Sequence, residues 1–467
     1  MGYRLNARVA ALPTRAYDSQ PMQWIANLVY LVAGLLYLPV ALYQALIVGK
    51  NRRGWGERFG FVRAFDPNKQ RIWIHAVSLG EVNATPRLVE SLRRRLAHAE
   101  VVFSTTTDTG YARAIQLYGT DRVFHFPLDF SPVVSRVLRR VSPSMIVLVE
   151  LEVWYNLVRM ATRRGIPVVV VNGRLTPRSA GRLRRLGRAI QCIFRDLVWV
   201  GAQDEAIASR FRSLGVPADR VEVTSSLKWD SAAVTDQVEG AEALACALGI
   251  DRRRPLWVCG STGPGEEAMI LDAYRRLLGD WPCLARGVQA GSSEKSESAG
   301  PILAIVPRKP ERFDEVARII ERAGFRCIRR SDCCDGTHAV PMLGPVVLLG
   351  DTMGELRKFY SLADVVFVGR TLVPLGGSDP MEVAALGKPI VIGPHTENFQ
   401  LPVTALHTAD AIRIVESVDA LPSAIGAFLQ DEDAAAEIGL RAREVVVDNQ
   451  GATKRTADAI VGLLEAG

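Results

Sequence analysis

The sequence predicts an α/β protein in which two doubly wound, parallel-sheet domains follow an apolar N-terminal helix. Uninterrupted runs of Val, Ile and Leu alternate with helix-like stretches, and such runs are typical of parallel strands that are buried on both faces. The alternation occurs twice, in a chain of 467 residues that is long enough for two domains. The strand candidates are RIWIHAV, EVVFSTT, SMIVLVE, PVVVVNG and LVWVGAQ in the first set, and PLWVCGST, PILAIVPR, VVLLGD, DVVFVGR and KPIVIGP in the second.

Four segments are expected along the chain. We place a membrane anchor with its basic flank at 1–54, a first Rossmann-like domain at 55–228, a linker at 229–254 and a second Rossmann-like domain at 255–467. Ligands of such sheets bind beyond the carboxyl ends of the strands. We therefore expect the two domains to face a cleft, with the functional residues at their strand ends.

The N-terminal apolar run predicts a membrane anchor. Residues 19–49 contain no charged side chain, and about 20 apolar residues are enough to cross a bilayer. A cleaved signal peptide is the alternative, but the run is too long and no small-residue cleavage pattern follows it. Pro39 can divide the segment into a spanning and an interfacial piece. The denser basic flank, with Arg52, Arg53 and Arg58, follows the run, so we expect the rest of the chain on the cytoplasmic side.

Positive charge is concentrated in the first half of the chain. The net charge is +7, yet residues 71–200 alone hold twenty Arg and nine acidic residues. In a continuous helix, Arg184 and Arg188 would lie on one face with Arg185 beside them. We expect this face to meet an anionic surface; a solvated helix face is the alternative. Seven Cys without a CxxC pair and six scattered His predict no metal site.

Candidate acidic residues follow two strands of the first set. Glu81 lies in HAVSLGE at a strand-to-helix turn, where a carboxylate beside apolar walls can act as a general base; the alternative is that it caps its helix. Glu150 and Glu152 follow another strand in VELEVWYN and lie on one side of the extended chain, although they can also simply bind nearby Arg. The segment TTTDTG, at 105–110, either binds sugar hydroxyls or caps a helix.

In the second set, polar loops follow successive strands. Ser261 and Thr262 can present hydroxyls and backbone amides to a phosphate at a helix start, although the GK[ST] of a Walker loop is absent. Arg308 follows the next strand and is available for an anion. Gly-rich backbone with Asp379 and Glu382 follows a later strand, and this pattern suits hydrogen bonds to ribose or sugar hydroxyls.

These segments together resemble the Kdo (3-deoxy-D-manno-octulosonic acid) transferase family. The resemblance implies a GT-B fold and inverting transfer of Kdo from CMP-Kdo to a lipid A precursor, lipid IVA, without a required metal or other cofactor. It also implies the cell inner membrane as location, an anionic leaflet as partner surface and no nucleic-acid partner. The similar segments, in order from about residue 50 to residue 400, are HAVSLGE, FPLDF, VELEVWYN, VNGRLTPRS, SLKWD, GSTGPGEE, VPRKPERF, GDTMGEL and FVGRTLVPLGGSDPMEVAALGKPIVIGPHTENF.

The resemblance implies roles for individual residues. Glu81 corresponds to the general base of the family, and Glu150 lies in the same active site. The face formed by Arg184, Arg185 and Arg188 would then point to acceptor phosphates or leaflet headgroups. The residues that would bind CMP by position are Ser261, Thr262, Arg308, Met353, Gly354, Glu355, Asp379 and Glu382.

The chain departs from the family pattern in its second domain. Gly263 stands where His usually follows Gly-Ser-Thr, and Lys309 where His usually follows Pro-Arg. Ser378 and Asp379 stand where the family usually has His-Asn, so that an amide donor is lost while an acceptor is kept. Two alternatives therefore stay open. One is a GT-B glycosyltransferase with another nucleotide sugar or lipid acceptor, and the other is a non-catalytic paralogue, against which the retained acids of the first domain argue.

Overall fold

Two parallel β-sheets form the framework of the protein, as seen in a computed structural model. Each sheet has seven strands, and each has its first strand in an inner position with later strands added on both sides. This arrangement confirms the predicted α/β class with two doubly wound domains. The structure describes residues 20–43, 54–151, 153–250, 252–281, 300–333 and 345–466.

The first sheet is built from strands that are mostly apolar. These are β1 (Arg71–His75), β2 (Glu100–Thr105), β3 (Val123–His125), β4 (Met145–Val149), β5 (Val168–Gly173), β6 (Trp199–Ala202) and β7 (Val221–Val223). Their order across the sheet is β3-β2-β1-β4-β5-β6-β7. Every residue of β1, β4 and β5 is buried, which explains why these strands appear in the sequence as continuous apolar runs.

Helices cover both faces of the first sheet. Along β5, Val168 and Val170 join one apolar core while Val169 and Val171 join the other, because successive side chains of a strand point to opposite faces. The helices of this part are α1 (Gln20–Tyr43), α2 (Trp55–Arg58), α3 (Leu79–Ala84), α4 (Pro86–Arg95), α5 (Asp108–Tyr118), α6 (Ser131–Val141), α7 (Tyr155–Arg163), α8 (Pro177–Arg185), α9 (Arg188–Asp196) and α10 (Glu205–Ser213).

The second sheet repeats the same plan. Its strands are β8 (Leu256–Thr262), β9 (Ile302–Pro307), β10 (Arg326–Arg329), β11 (Val346–Leu349), β12 (Val365–Val368), β13 (Ile390–Ile392) and β14 (Arg413–Ile414). Their order is β10-β11-β9-β8-β12-β13-β14. The loops that follow β9, β8 and β12 are therefore neighbours at one edge. The helices are α11 (Ala241–Leu248), α12 (Glu266–Asp280), α13 (Phe313–Arg322), α14 (Leu356–Leu362), α15 (Met381–Ala385), α16 (Gln400–Thr408), α17 (Leu421–Gln430) and α18 (Glu432–Asn449).

The division of the chain differs from the one expected at 255–467. The second compact unit runs from Ala232 to Asp448, and the chain from Asn449 onward belongs with the first unit. The physical reason is α19 (Ala452–Glu465). Its apolar side chains are buried in one core of the first sheet, together with those of α4; they are Ala452, Ala457, Ala459 and Ile460.

Helix α1 is attached to the first domain by polar contacts. Asn27 donates from its Nδ2 to the hydroxyl of Ser131 at 2.7 Å, and its Oδ1 accepts the backbone N–H of Ser131 at 3.1 Å. None of the helices in the described part of the chain combines the length and the apolar character needed to cross a membrane. The exposed side of α1 nevertheless carries large apolar side chains, namely Trp24, Ile25, Leu28, Val29, Leu31, Val32, Leu35 and Leu36.

Candidate active site

Glu81 lies in the first turn of α3, directly after the end of β1. Its carboxylate accepts the backbone N–H of Val77 at 2.8 Å and the hydroxyl of Ser78 at 2.8 Å. The Ser78 hydroxyl in return accepts the backbone N–H of Glu81 and caps the helix, which makes a reciprocal capping box. Glu81 thus caps α3, and the same bonds hold its carboxylate in one position at the strand end. The residue as a whole is only 8% exposed.

Glu150 brings a second carboxylate to the same edge. It is the first residue after β4 and has a φ of 63°, a left-handed conformation that costs roughly 1–3 kcal/mol for a residue with a Cβ. Because β4 pairs with β1, the two acids follow neighbouring strands. Burial raises the pKa of Glu81 and the charge of Glu150 raises it further, against the hydrogen bonds from Val77 and Ser78. A carboxylate with a raised pKa suits a general base. Glu152 lies outside the described residues.

The threonines after β2 brace the turn that carries Glu81. The hydroxyls of Thr105 and Thr107 both donate to the carbonyl of Val77 at 3.1 Å. Thr107 also caps α5 by accepting the backbone N–H of Gly110 at 3.2 Å. A side chain at Gly110 would come within 2.6 Å of the Thr105 hydroxyl. For the segment 105–110, the structure therefore shows helix capping and support of the neighbouring loop.

A buried polar cluster at the start of α7 was missed at the sequence level. The carboxylate of Asp129 accepts the backbone N–H groups of Asn156 at 2.9 Å and Leu157 at 2.8 Å. Burial raises the pKa of Asp129 to about 6. Asn156 donates from its Nδ2 to Asn27 at 3.2 Å, so the cluster continues into α1. The only signal was the presence of Asp and Asn in FPLDF and VELEVWYN, and neither segment indicates that the two side chains meet.

The continuous helix that would place Arg184 and Arg188 on one face is not formed. Helix α8 ends at Arg185 and α9 begins at Arg188, with Gly187 between them at a φ of 60°. The two arginines therefore belong to different helices and do not share a face. Arg184 and Arg185 are exposed, whereas the side chain of Arg188 is outside the described part. Leu186, between the two helices, is 61% exposed.

In the second domain, the loop after β8 is held by inward hydrogen bonds. Thr262 is 1% exposed, and its hydroxyl donates to the carboxylate of Glu267 at 2.9 Å. Glu267 also accepts from Arg312 at 2.6 and 3.0 Å. Ser261 has a φ of 56°, and its carbonyl accepts the hydroxyl of Ser378 at 3.3 Å. The Thr262 hydroxyl is thus engaged within the protein.

Glu266 connects this loop to the loop after β12. Its buried carboxylate accepts backbone N–H groups from Gly263 at 2.9 Å, from Thr371 at 2.8 Å and from Leu372 at 3.0 Å, and also from Arg370. Burial raises the pKa of Glu266 in spite of these four donors. Sequence reasoning did not single out this residue, because three of its four partners lie more than one hundred positions away. In the loop after β8, the backbone amide of Gly263 is thus occupied by this carboxylate.

Arg308 extends from the end of β9 beside these loops. Its backbone N–H donates to the carbonyl of Thr262 at 3.2 Å, and its side chain is exposed. Burial of part of the guanidinium and the charge of nearby Arg370 lower the pKa of Arg308, while the charge of Asp379 acts in the opposite direction. The positive side chain therefore lies at the strand-end edge, as an anion-binding residue would.

The remaining predicted donor-binding residues occupy two further loops of this edge. Met353 is 68% exposed and Gly354 has a φ of 84°. Glu355 forms ion pairs with Arg330 and Lys358, both at 3.1 Å. Burial opposes ionisation of Glu355, but hydrogen bonds from Thr352 and Lys358 outweigh it and lower the pKa.

The last two of these residues lie in the loop before α15 and in the first turn of that helix. The carboxylate of Asp379 accepts the backbone N–H of Met381 at 2.9 Å, and Glu382 is exposed in the first turn of α15. Gly376 and Gly377 have φ values of 79° and 80°, and a side chain at Gly376 would come within 2.2 Å of Asn398. The assignment of these residues to donor binding stays a prediction.

The chain is similar to known proteins over most of its length. Residues 53–231 match the family described as 3-deoxy-D-manno-octulosonic-acid transferase (kdotransferase). The 3-deoxy-D-manno-octulosonic acid transferase of Haemophilus influenzae is 34% identical over 418 residues, which cover 89% of this chain and 92% of that protein. The enzyme of the same name from Bordetella pertussis is 33% identical and covers 86% of this chain and 90% of its own.

The similarity of this chain to a solved structure shows its fold and nothing further. The crystal structure of MurG from Acinetobacter baumannii aligns with 84% of this chain and 99% of its own, with 13% identity and a TM-score of 0.52. The expected GT-B fold is thereby confirmed. Since the similarity to the curated relatives extends over both domains, the chain belongs to the 3-deoxy-D-manno-octulosonic acid transferase family and is a glycosyltransferase.

Proposed function

We propose that this protein transfers Kdo from CMP-Kdo to a lipid A precursor with inversion, in the synthesis of the lipopolysaccharide core. The observation that carries the proposal is the position of Glu81 at the end of β1, buried, fixed by its capping box and raised in pKa by burial and by Glu150. Family membership supports Kdo as the transferred sugar, and the resemblance described above implies CMP-Kdo as the donor and a lipid A precursor as the acceptor.

Glu81 is the general base of the proposed reaction. Inverting transfer requires that a base removes the proton of the acceptor hydroxyl while the sugar carbon is attacked on the face opposite the leaving group. The bonds from Val77 and Ser78 keep the Glu81 carboxylate in place at the strand end. The carboxylate gains the proton, and CMP leaves with its phosphate negatively charged. Cationic groups of the second domain, with Arg308 first among them, stabilise that charge.

We further propose that the protein is bound to the cytoplasmic face of the inner membrane through α1. The helix is attached to the first domain through Asn27, and its exposed side carries Trp24, Leu28, Leu35 and Leu36. Such an arrangement suits a helix that lies in one leaflet. The exposed Arg184 and Arg185 of α8 add attraction to anionic headgroups or to acceptor phosphates.

The test is a reaction of the purified full-length chain with CMP-Kdo and lipid IVA, followed by mass spectrometry of the lipid and by assay of released CMP. We expect a lipid heavier by one or more Kdo residues, and one CMP released per residue added. Other nucleotide sugars serve as competing donors in parallel reactions. Transfer from another donor, with CMP-Kdo inert, would establish the alternative glycosyltransferase. No transfer from any donor, by a protein that is folded, would contradict the proposal.

A further inference from the structure

Arg370 is a cationic residue that neither the composition nor the family resemblance singles out. It follows β12 and Gly369, and its φ of 65° is in the left-handed region. Its backbone N–H donates to the Glu266 carboxylate, and its Nη2 donates to the carbonyl of Leu375 at 2.8 Å. The Nε atom is buried and has no hydrogen-bond partner among the described residues. The guanidinium is thus held in place by its own loop and retains an unused donor.

The side chain of Arg370 occupies the space beside Gly263. A Cβ built on Gly263 would lie 2.9 Å from Cγ of Arg370 and 2.6 Å from a methyl group of Leu375. Carbon atoms do not approach so closely, so no side chain fits at position 263 while Arg370 lies there. Position 263 is one of the departures noted above, where His is usual in the family. A side chain at position 263 would therefore collide with the side chain of Arg370, and Gly263 avoids this collision.

Arg370 and Arg308 bring two positive charges to one edge. They follow β12 and β9, which lie on either side of β8. The two guanidinium groups are near enough for the charge of one to oppose that of the other. Within the described ranges, no carboxylate forms an ion pair with either side chain, although Asp379 is close enough to attract Arg308. Two like charges close together repel each other, and an anion bound between them would relieve that repulsion.

Several backbone amides at this edge cannot bind an anion, because they already donate to a carboxylate of the protein. At the start of α12, the N–H of Gly263 donates to Glu266, and so do the N–H groups of Arg370, Thr371 and Leu372. These four amides are therefore bonded inside the protein. Side chains such as those of Arg308 and Arg370 are the groups of this edge that remain to meet a negatively charged ligand.

We propose that Arg370 binds the anionic part of the nucleotide-sugar donor together with Arg308, in the place of the side chain that Gly263 lacks. The inference rests on the proposed function, since it assumes a donor with a phosphate and a carboxylate. Of the two arginines, Arg370 has the more fixed orientation. Its Nη2 is bonded to the carbonyl of Leu375 and its backbone N–H to the carboxylate of Glu266. Arginine presents a planar fork of donors, which matches phosphate and carboxylate oxygens.

The experiment compares binding of CMP, cytidine and CMP-Kdo to the full chain by titration calorimetry. The variants are Arg370→Gln, Arg370→Lys and, as a control with the same change of charge, Arg322→Gln. Arg322 is exposed in the last turn of α13, next to the entry into β10 and hence at the opposite edge of the sheet. We expect Arg370→Gln to weaken CMP binding about 10- to 100-fold, Arg370→Lys to weaken it less, and Arg322→Gln to leave it unchanged. Cytidine binding should be the same in all four proteins.

The pattern across ligands separates the possible outcomes. A loss for CMP identifies the phosphate as the bound anion, whereas a loss for CMP-Kdo alone identifies the sugar carboxylate. Unchanged binding of both, or an equal loss for cytidine, overturns the proposal. If the unaltered protein transfers Kdo but Arg370→Gln binds normally, only this inference fails; if the unaltered protein binds no CMP, the proposed function fails first.

Discussion

At the scale of single residues, the buried carboxylates Glu81 and Glu266 differ in how far along the sequence their hydrogen-bond donors lie. Glu81 is fixed by local bonds to Val77 and Ser78, three or four positions away, and the sequence HAVSLGE predicts it. Glu266 is fixed by three amides of a loop more than one hundred positions away. Nothing in GSTGPGEE alone indicates these partners, so the sequence does not predict this internal carboxylate, and phosphate binding by the loop stays a prediction.

The carboxylate pair Glu81 and Glu150 predicts a specific dependence on pH. The base must be ionised, so activity should rise with pH through the pKa of Glu81, which burial and the charge of Glu150 raise. In Glu150→Gln that charge is removed, the pKa of Glu81 falls, and the acidic limb of kcat/KM against pH should move to lower pH. The shift is measured from profiles of kcat/KM against pH for the unaltered protein, for Glu150→Gln and for the exposed control Glu90→Gln.

Glu81→Gln complements that experiment. It keeps the shape of the side chain but removes proton acceptance, so kcat should fall by roughly two to four decades while CMP-Kdo still binds. An acidic limb that stays in place in Glu150→Gln, or near-normal turnover in Glu81→Gln, would leave Glu81 with helix capping only.

The ion pair between Glu267 and Arg312 predicts a difference in stability between two similar substitutions. Arg312 contacts Glu267, whose side chain is 0% exposed, and Glu315, whose side chain is 50% exposed. Glu267→Ala leaves a buried guanidinium without its inner partner and should cost about 3–5 kcal/mol, which lowers the unfolding midpoint of the second domain by several degrees. Glu315→Ala, the matched control, should cost about 1 kcal/mol or less. Scanning calorimetry of both variants tests this, and equal midpoints would mean that Arg312 finds other partners.

At the scale of elements, the strands were predictable and several helices were not. Buried strands such as β4 and β5 appear as runs of Val and Ile because both faces are covered. The break between α8 and α9 depends on the single residue Gly187 at a φ of 60°, within a run whose many arginines favour a helix. Leu186 is exposed there because the chain turns away from the core.

Helix α1 supports an element-scale prediction about membrane binding. Leu28, Leu35 and Leu36 are 61%, 60% and 76% exposed, so changing all three to Gln should leave the fold intact. Each buried Leu contributes about 1.5–3 kcal/mol of transfer free energy. We therefore expect co-sedimentation with anionic vesicles to weaken by ~100-fold or more. Leu440→Gln with Val447→Gln, exposed on α18, is the control and should bind like the unaltered protein. Equal binding of the triple variant would assign membrane attachment to other parts of the chain.

At the scale of the whole molecule, both doubly wound sheets could be predicted from the sequence. Which segments of the chain make up each domain could not be predicted. Alternating strands and helices determine the architecture because each strand pairs with a neighbour of the same set. Helix α19 has no local feature that assigns it to one domain. Its small side chains, including Ala452 and Ala457, fit the core beside α4, and that is a property of the folded surface against which they pack.

The placement of α19 has a consequence for the order of events during synthesis. The ribosome delivers the chain from its N-terminus, so the strands of the first sheet emerge long before residues 452–465 do. Until then, the patch of that core beside Leu88 and Leu92 lacks its covering helix. The second unit, from Ala232 to Asp448, emerges in one uninterrupted stretch. It can complete its folding while the first unit still lacks α19. The domain that is translated first is thus the one that finishes last, and in the interval its open apolar patch is available to a chaperone.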